Sequence, residues 1–248
     1  MKNYKLILQY DGTRYLGWQK LGSDKEKDRT IQGKLEAVLS KMTGFPVEVQ
    51  GSGRTDAGVH ALCQVVSCRL ETAMGAKEIR EYVNEYLPED IALVQVEEAP
   101  DRFHARLNAK AKTYRYAINN SVVPDVMRHK FEMQVKEPLD TRAMEEAASY
   151  LVGVHDFLNF SSLKKSKKST IREIYSVTVT RNEEKITMDF YGNGFLYNQV
   201  RIMTGTLIEV GKGERTPESV KEIFTASSRE AAGFTAPAKG LTLMNVEY

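Results

Sequence analysis

Cysteine is scarce in this chain: there are two, Cys63 and Cys68, in 248 residues. They lie five apart in a strand-like segment, so they point to opposite faces. That argues against a disulfide, and two thiols alone complete no structural zinc site. A reducing, cytoplasmic setting is the simple expectation. No apolar run approaches the roughly 18 residues that a membrane span needs. The opening Met1-Lys2-Asn3-Tyr4-Lys5 leads into a strand-like run without a cleavage site, so neither a membrane protein nor a secretory leader is expected. Net charge is only +2, too little to point to a nucleic-acid partner by itself. There is a single tryptophan, Trp18, which either packs the core or lines a cleft.

Acidic residues are missing from two stretches. Arg102, Arg106, Lys110, Lys112 and Arg115 fall between positions 102 and 115 with no acid among them. Lys164, Lys165, Lys167, Lys168 and Arg172 do the same between 161 and 172. With Phe103, Tyr114 and Tyr116 nearby, both stretches fit a phosphate-binding surface. The plain alternative is a pair of solvated basic faces. The rest of the composition, 42% hydrophobic and 27% charged, is that of a globular protein. The length suits one large or two small domains with a core that needs no staples.

The pattern divides the chain in two. Tyr4 to Tyr10 alternates as a strand. Thr30 can cap a helix from Ile31 to Met42, ended by Thr43-Gly44. Strands are expected at Val47 to Val49, Cys63 to Leu70 and Ile91 to Val96, with a helix over Ala76 to Leu87 stopped by Pro88. After position 107, Lys112 to Ile118 reads as a strand with Thr113, Arg115 and Ala117 on one face and Tyr114, Tyr116 and Ile118 on the other. Positions 119 to 138 read as irregular and 156 to 168 as a loop. A helix runs from Thr141 to Leu151 behind Asp140, strands span Ile171 to Thr180 and Lys185 to Tyr191, and a helix covers about Tyr197 to Val210. A shorter helix begins at Thr216-Pro217, and Leu241 to Tyr248 forms the last strand. Residues 1–107 and 108–248 therefore each read β-α-β-β-α-β, the second with an extra helix. The expected class is α+β, two ferredoxin-like halves.

Between two apolar runs lies Gly51-Ser52-Gly53-Arg54-Thr55-Asp56-Ala57-Gly58-Val59-His60-Ala61. Three glycines in eight residues mark a connection where backbone must bend or approach something closely. A loop held between strands is a rigid place to present a carboxylate, and Arg54 can favour its ionised form. The bland reading is a turn whose Asp and Thr bond local backbone.

The string GRTDAGVHA closely resembles the active-site motif of the TruA family of tRNA pseudouridine synthases. Phe103-His104-Ala105-Arg106, Lys112-Thr113-Tyr114-Arg115-Tyr116, Asn198-Gln199-Val200-Arg201 and Gly240-Leu241 resemble further family positions in family order. The resemblance spans nearly the whole chain. It implies two ferredoxin-like halves joined into one extended, mainly antiparallel sheet with a central cleft, and a homodimer acting on tRNA. It implies an isomerase that turns uridine into pseudouridine on the 3′ side of the anticodon stem-loop, or a paralogue with another RNA site. Asp56 is then the catalytic carboxylate and nucleophile, Arg201 its partner at the start of catalysis, and Tyr114 the active-site tyrosine. Arg54 lies near the flipped nucleotide, and Leu241 completes the apolar wall of the uracil pocket.

Pseudouridine formation moves uracil from an N1 to a C5 link on the same ribose, so no cofactor or metal is called for. A carboxylate, with its ordinary pKa of about 3.9, is ionised near neutrality and ready to act as nucleophile or base. Attack on the ribose, attack on the ring and removal of a ribose proton all stay open. The ring of Tyr114 can stack on uracil and its hydroxyl can relay the C5 proton; the alternative is a core tyrosine. His60, His104 and Arg106 flank the motifs as substrate-binding candidates, the histidines either on phosphate or on backbone groups, with positioning favoured over proton transfer. Lys164, Lys165, Lys167 and Lys168 would clamp RNA backbone. Two other classes compete. A non-catalytic RNA-binding sheet lacks its glycine-aromatic signature here, and a metal-dependent nuclease would need clustered carboxylates.

Overall fold

The computed structural model describes residues 1–20, 22, 29–163 and 169–248. The chain forms two compact units, Met1–Lys110 with Leu243–Tyr248, and Ala111–Thr242.

The first unit contains β1 (Lys2–Tyr10), α1 (Ile31–Thr43), β2 (Val49–Gly51), β3 (His60–Leu70), α2 (Ala76–Tyr86) and β4 (Ile91–Glu98). This is the expected β-α-β-β-α-β series. Its strands run β4-β1-β3, and β2 pairs with the Val66–Cys68 end of β3, all antiparallel. Alternation drives β1: Tyr4, Leu6, Leu8 and Tyr10 are buried, each worth about 2 kcal/mol of burial as an order of magnitude. Thr30 caps α1 through its hydroxyl, which accepts the Gly33 N–H at 3.2 Å. Ile31, Leu35, Val38 and Leu39 put one face of α1 into the core.

The last strand, β10 (Leu241–Glu247), joins the first unit from Leu243 onward and lies next to β3. The sequence division at 107/108 grouped these residues with the second half. Three contacts explain the difference. Lys110 N–H donates to Glu247 O at 2.8 Å, the Tyr248 hydroxyl donates to Ala105 O at 2.7 Å, and the Phe103 and Tyr248 rings pack 5.0 Å apart.

The second unit contains β5 (Ala111–Asn119), β6 (Met133–Gln134), α3 (Thr141–Ser149), β7 (Gly153–Asp156), β8 (Ile171–Asn182), β9 (Lys185–Gly192), α4 (Gln199–Gly211) and α5 (Ser219–Thr225). Its strands run β5-β9-β8-β7 antiparallel, with β6 parallel to β5. In β5 Tyr114, Tyr116 and Ile118 are buried and Thr113, Arg115 and Ala117 are half-buried, the alternation that the sequence predicts. β6 and β7 are additions to the expected series. Two and four residues are too short for periodicity to register, and β7 pairs only along Ile171–Ile174. β8 and β9 run closer together than expected, because Glu183 takes a left-handed φ of 54° in a turn that carries no glycine to signal it. α4 starts at Gln199 and not at Tyr197, because Asn198 sits at φ 61°.

Candidate active site

The loop carrying Asp56 belongs to the first unit and is tied down residue by residue. Ser52 N–H donates to Val65 O at 2.7 Å, and the Ser52 hydroxyl donates to Gln64 Oε1 at 2.7 Å. The Gln64 amide donates back to Gly53 O at 2.9 Å. Thr55 Oγ1 shares a 2.8 Å hydrogen bond with the Tyr10 hydroxyl, and Thr55 O accepts the Trp18 N–H at 3.0 Å. Val59 N–H closes a turn onto Asp56 O at 3.1 Å, with Gly58 at φ 78°. Ser52, Thr55 and Val59 are buried, Asp56 is half-buried and Arg54 is exposed.

The chain after β1 makes this packing possible. Gly17 has φ 98°, and a Cβ built on it would lie 2.5 Å from Thr55 O, so only glycine lets the two backbones meet. Trp18 is buried beside Tyr10, ring centroids 6.5 Å apart, and lies against Gly51. Burial raises the Tyr10 phenol well above its ordinary value, so it stays a neutral hydrogen-bonding group.

His60 is 3% exposed, and its Nδ1 accepts the Gly12 N–H at 3.0 Å. That bond uses the lone pair of Nδ1, so the Asp11 carboxylate 3.2 Å away meets a nitrogen with no proton to give. In this arrangement the imidazole satisfies a backbone group. His104 is half-buried, and its Nδ1 accepts N–H groups from Arg106 and Leu107 at 3.1 and 3.4 Å, leaving the ring proton to Nε2. Arg106 is exposed on that turn. Ala105 N–H donates to Ser67 Oγ at 3.0 Å, fixing the turn to β3.

Tyr114, Arg201 and Leu241 belong to the second unit. Tyr114 is 7% exposed and meets Phe195 edge-on at 5.3 Å. Arg201 sits in the first turn of α4, half-buried. Its Nε donates to Ala236 O at 2.7 Å and its Nη1 to Asn198 Oδ1 at 2.9 Å, so the guanidinium is held in place at two atoms. The left-handed Asn198 also donates from Nδ2 to Ser162 Oγ at 2.9 Å. Leu241 is buried at the start of β10. Lys164, Lys165, Lys167 and Lys168 lie outside the described residues.

Sequence reasoning passed over Tyr10 and Gln64, and took Thr55 only as a local turn residue. A glutamine inside Ala61-Leu62-Cys63-Gln64-Val65-Val66 was the available signal, because a polar side chain at a buried strand position needs partners. Among the described residues, no three His, Cys, Asp or Glu side chains gather as a metal site would require. No described helix is long and apolar enough to cross a membrane.

Comparison with known proteins adds a second kind of finding. A family model described as tRNA pseudouridine synthase matches residues 6–108 and 147–248. The chain is 47% identical over 248 residues to a tRNA pseudouridine synthase A 2 of Bacillus cereus, covering 100% of both chains. It is 48% identical to a tRNA pseudouridine synthase A of Bacillus sp. strain KSM-64 and 45% identical to a tRNA pseudouridine synthase A 1 of Clostridium tetani, again over 100% of both chains.

Proposed function

The chain belongs to the tRNA pseudouridine synthase family, enzymes that isomerise uridine to pseudouridine in tRNA, and we propose that Asp56 is its reacting carboxylate and the 3′ side of the anticodon stem-loop its target. The observation that carries the assignment of Asp56 is its setting. It is a half-buried carboxylate on a loop tied by hydrogen bonds on both sides of it. Such a group is pre-positioned, which nucleophilic or base chemistry on a flipped nucleotide needs.

In this proposal Arg201 offsets the cost of desolvating the carboxylate, a role carried by the family resemblance and supported by its two fixed hydrogen bonds. Tyr114 and Leu241 supply the aromatic and apolar surface for uracil. Arg54, exposed beside Asp56, enters the space vacated when the base leaves its stack, a step costing a few kcal/mol. Arg106, His104 and the lysine run hold flanking phosphates, while His60 acts through backbone. The enzyme works in the cytoplasm as a homodimer. Sedimentation at twice the 28.0 kDa chain mass checks the dimer, and a flatter salt dependence of tRNA binding after replacing the four lysines checks the run.

The decisive experiment is tritium release from C5-labelled uridine in tRNA by Asp56→Asn. The amide keeps the shape but cannot serve as nucleophile or base, so release should vanish while filter binding of tRNA persists. Release at the wild-type rate would overturn the assignment.

A further inference from the structure

We infer that Tyr10 is a positioning residue for Asp56, acting through Thr55. The inference rests on Asp56 being the reacting carboxylate. Thr55 precedes Asp56, and its two polar ends are engaged from the end of β1 and from the segment that follows it. Its hydroxyl meets the Tyr10 hydroxyl at 2.8 Å, and its carbonyl accepts the Trp18 N–H at 3.0 Å. That carbonyl belongs to the peptide joining Thr55 to Asp56, so holding it fixes the plane from which Asp56 departs. On the far side, Asp56 O accepts the Val59 N–H. The backbone on both sides of the carboxylate is therefore held.

Tyr10 is itself held without slack. It is 5% exposed and its ring lies against Trp18 at 29°. Gln64 is fully buried and spends both ends of its amide on the same loop, at Ser52 and Gly53. The Tyr10 hydroxyl thus joins β1 to the residue before Asp56, while Gln64 ties the start of the loop to β3. Local turn bonds alone would leave the loop able to shift as a body, whereas this contact ties it to the sheet. Displacement by about 1 Å from a productive geometry can cost two orders of magnitude in rate.

A purely stabilising role predicts something different. Replacing both hydroxyl partners by apolar groups of similar shape is close to neutral for stability, since no buried polar group is left unpaired. The test therefore uses Tyr10→Phe, Thr55→Val, the double variant and Thr55→Ser in the full-length protein. It reads kcat and KM from tritium release, tRNA affinity by filter binding and thermal midpoint. Tyr10→Phe should lower kcat about tenfold with KM and tRNA affinity within about twofold. The double variant should melt near wild type yet turn over no faster than Tyr10→Phe, and Thr55→Ser, which keeps the hydroxyl, should recover most of the rate lost in Thr55→Val. Wild-type kcat in the double variant, or a kcat loss that follows the thermal midpoint across the series, would overturn the inference. Asp56→Asn is assayed alongside. If it is inactive while Tyr10→Phe is fully active, only the positioning role fails; if it is active, both fail.

Discussion

The two units hold the side chains proposed for the site by different means. In the second, Tyr114 is on a strand, Arg201 in the first turn of a helix and Leu241 at a strand start, so regular backbone aims them and a few local bonds finish the placement. In the first, Asp56 sits on a loop with no ladder of its own. Its placement comes from Tyr10, Trp18, Gln64 and a glycine that lets two backbones touch. A loop can present a carboxylate as firmly as a helix presents an arginine, but only when buried partners replace the missing ladder. Failure should accordingly look different in the two units: loss of function with little stability in the second, and in the first a joint loss of function and stability only where the close backbone contact at Gly17 is broken.

Arg201→Ala should break the second unit's part with the largest effect on rate. We expect tritium release to fall at least about a hundredfold, roughly 2.7 kcal/mol of barrier. Loss of its bonds to Ala236 and Asn198 should cost only about 1 to 2 kcal/mol of folding stability. Urea denaturation beside the activity assay separates the two, and a rate within threefold of wild type would remove Arg201 from the mechanism.

Gly17→Ala should show the opposite balance. The new methyl would crowd Thr55 O at 2.5 Å on a backbone with φ 98°, costing about 2 to 3 kcal/mol of stability and displacing the Asp56 loop. Stability and rate should fall together. A variant as stable as wild type would show that the loop is not braced by this segment.

The last effect is silent at neutral pH and concerns Cys68, buried in β3, whose thiol is pushed up to about 12 from 9.0 by desolvation. A raised folded-state pKa contributes stability that is intact below the unfolded value and is lost as pH rises. Here the loss runs from about 9 toward about 12, at on the order of 1 kcal/mol per pH unit. Cys68→Ala should flatten that part of the alkaline stability curve. Cys63, half-buried in the same strand, should be alkylated first in the folded protein. Equal alkylation rates would contradict the burial of Cys68.

Sequence by itself determined the family motif and most of the elements. The residues around Asp56 are contiguous, so the motif is legible without any fold. Thr30 and Asp140 announce their helices because capping is a contact over two or three residues. Strand alternation in β1 and β5 is likewise a property of neighbours. Only the tertiary structure decided what holds the site. Tyr10 and Thr55 are 45 residues apart and meet because β1 and β3 pair in one register, which no local pattern encodes. The left-handed turns at Glu183 and Asn198 are carried by side chains that ordinarily avoid or only sometimes adopt them, so packing imposed what propensity did not suggest. The residence of Leu243–Tyr248 in the first unit has the same cause: Tyr248 finds Ala105 and Phe103 there, and burial is decided by where a chain end reaches, not by where it falls in sequence.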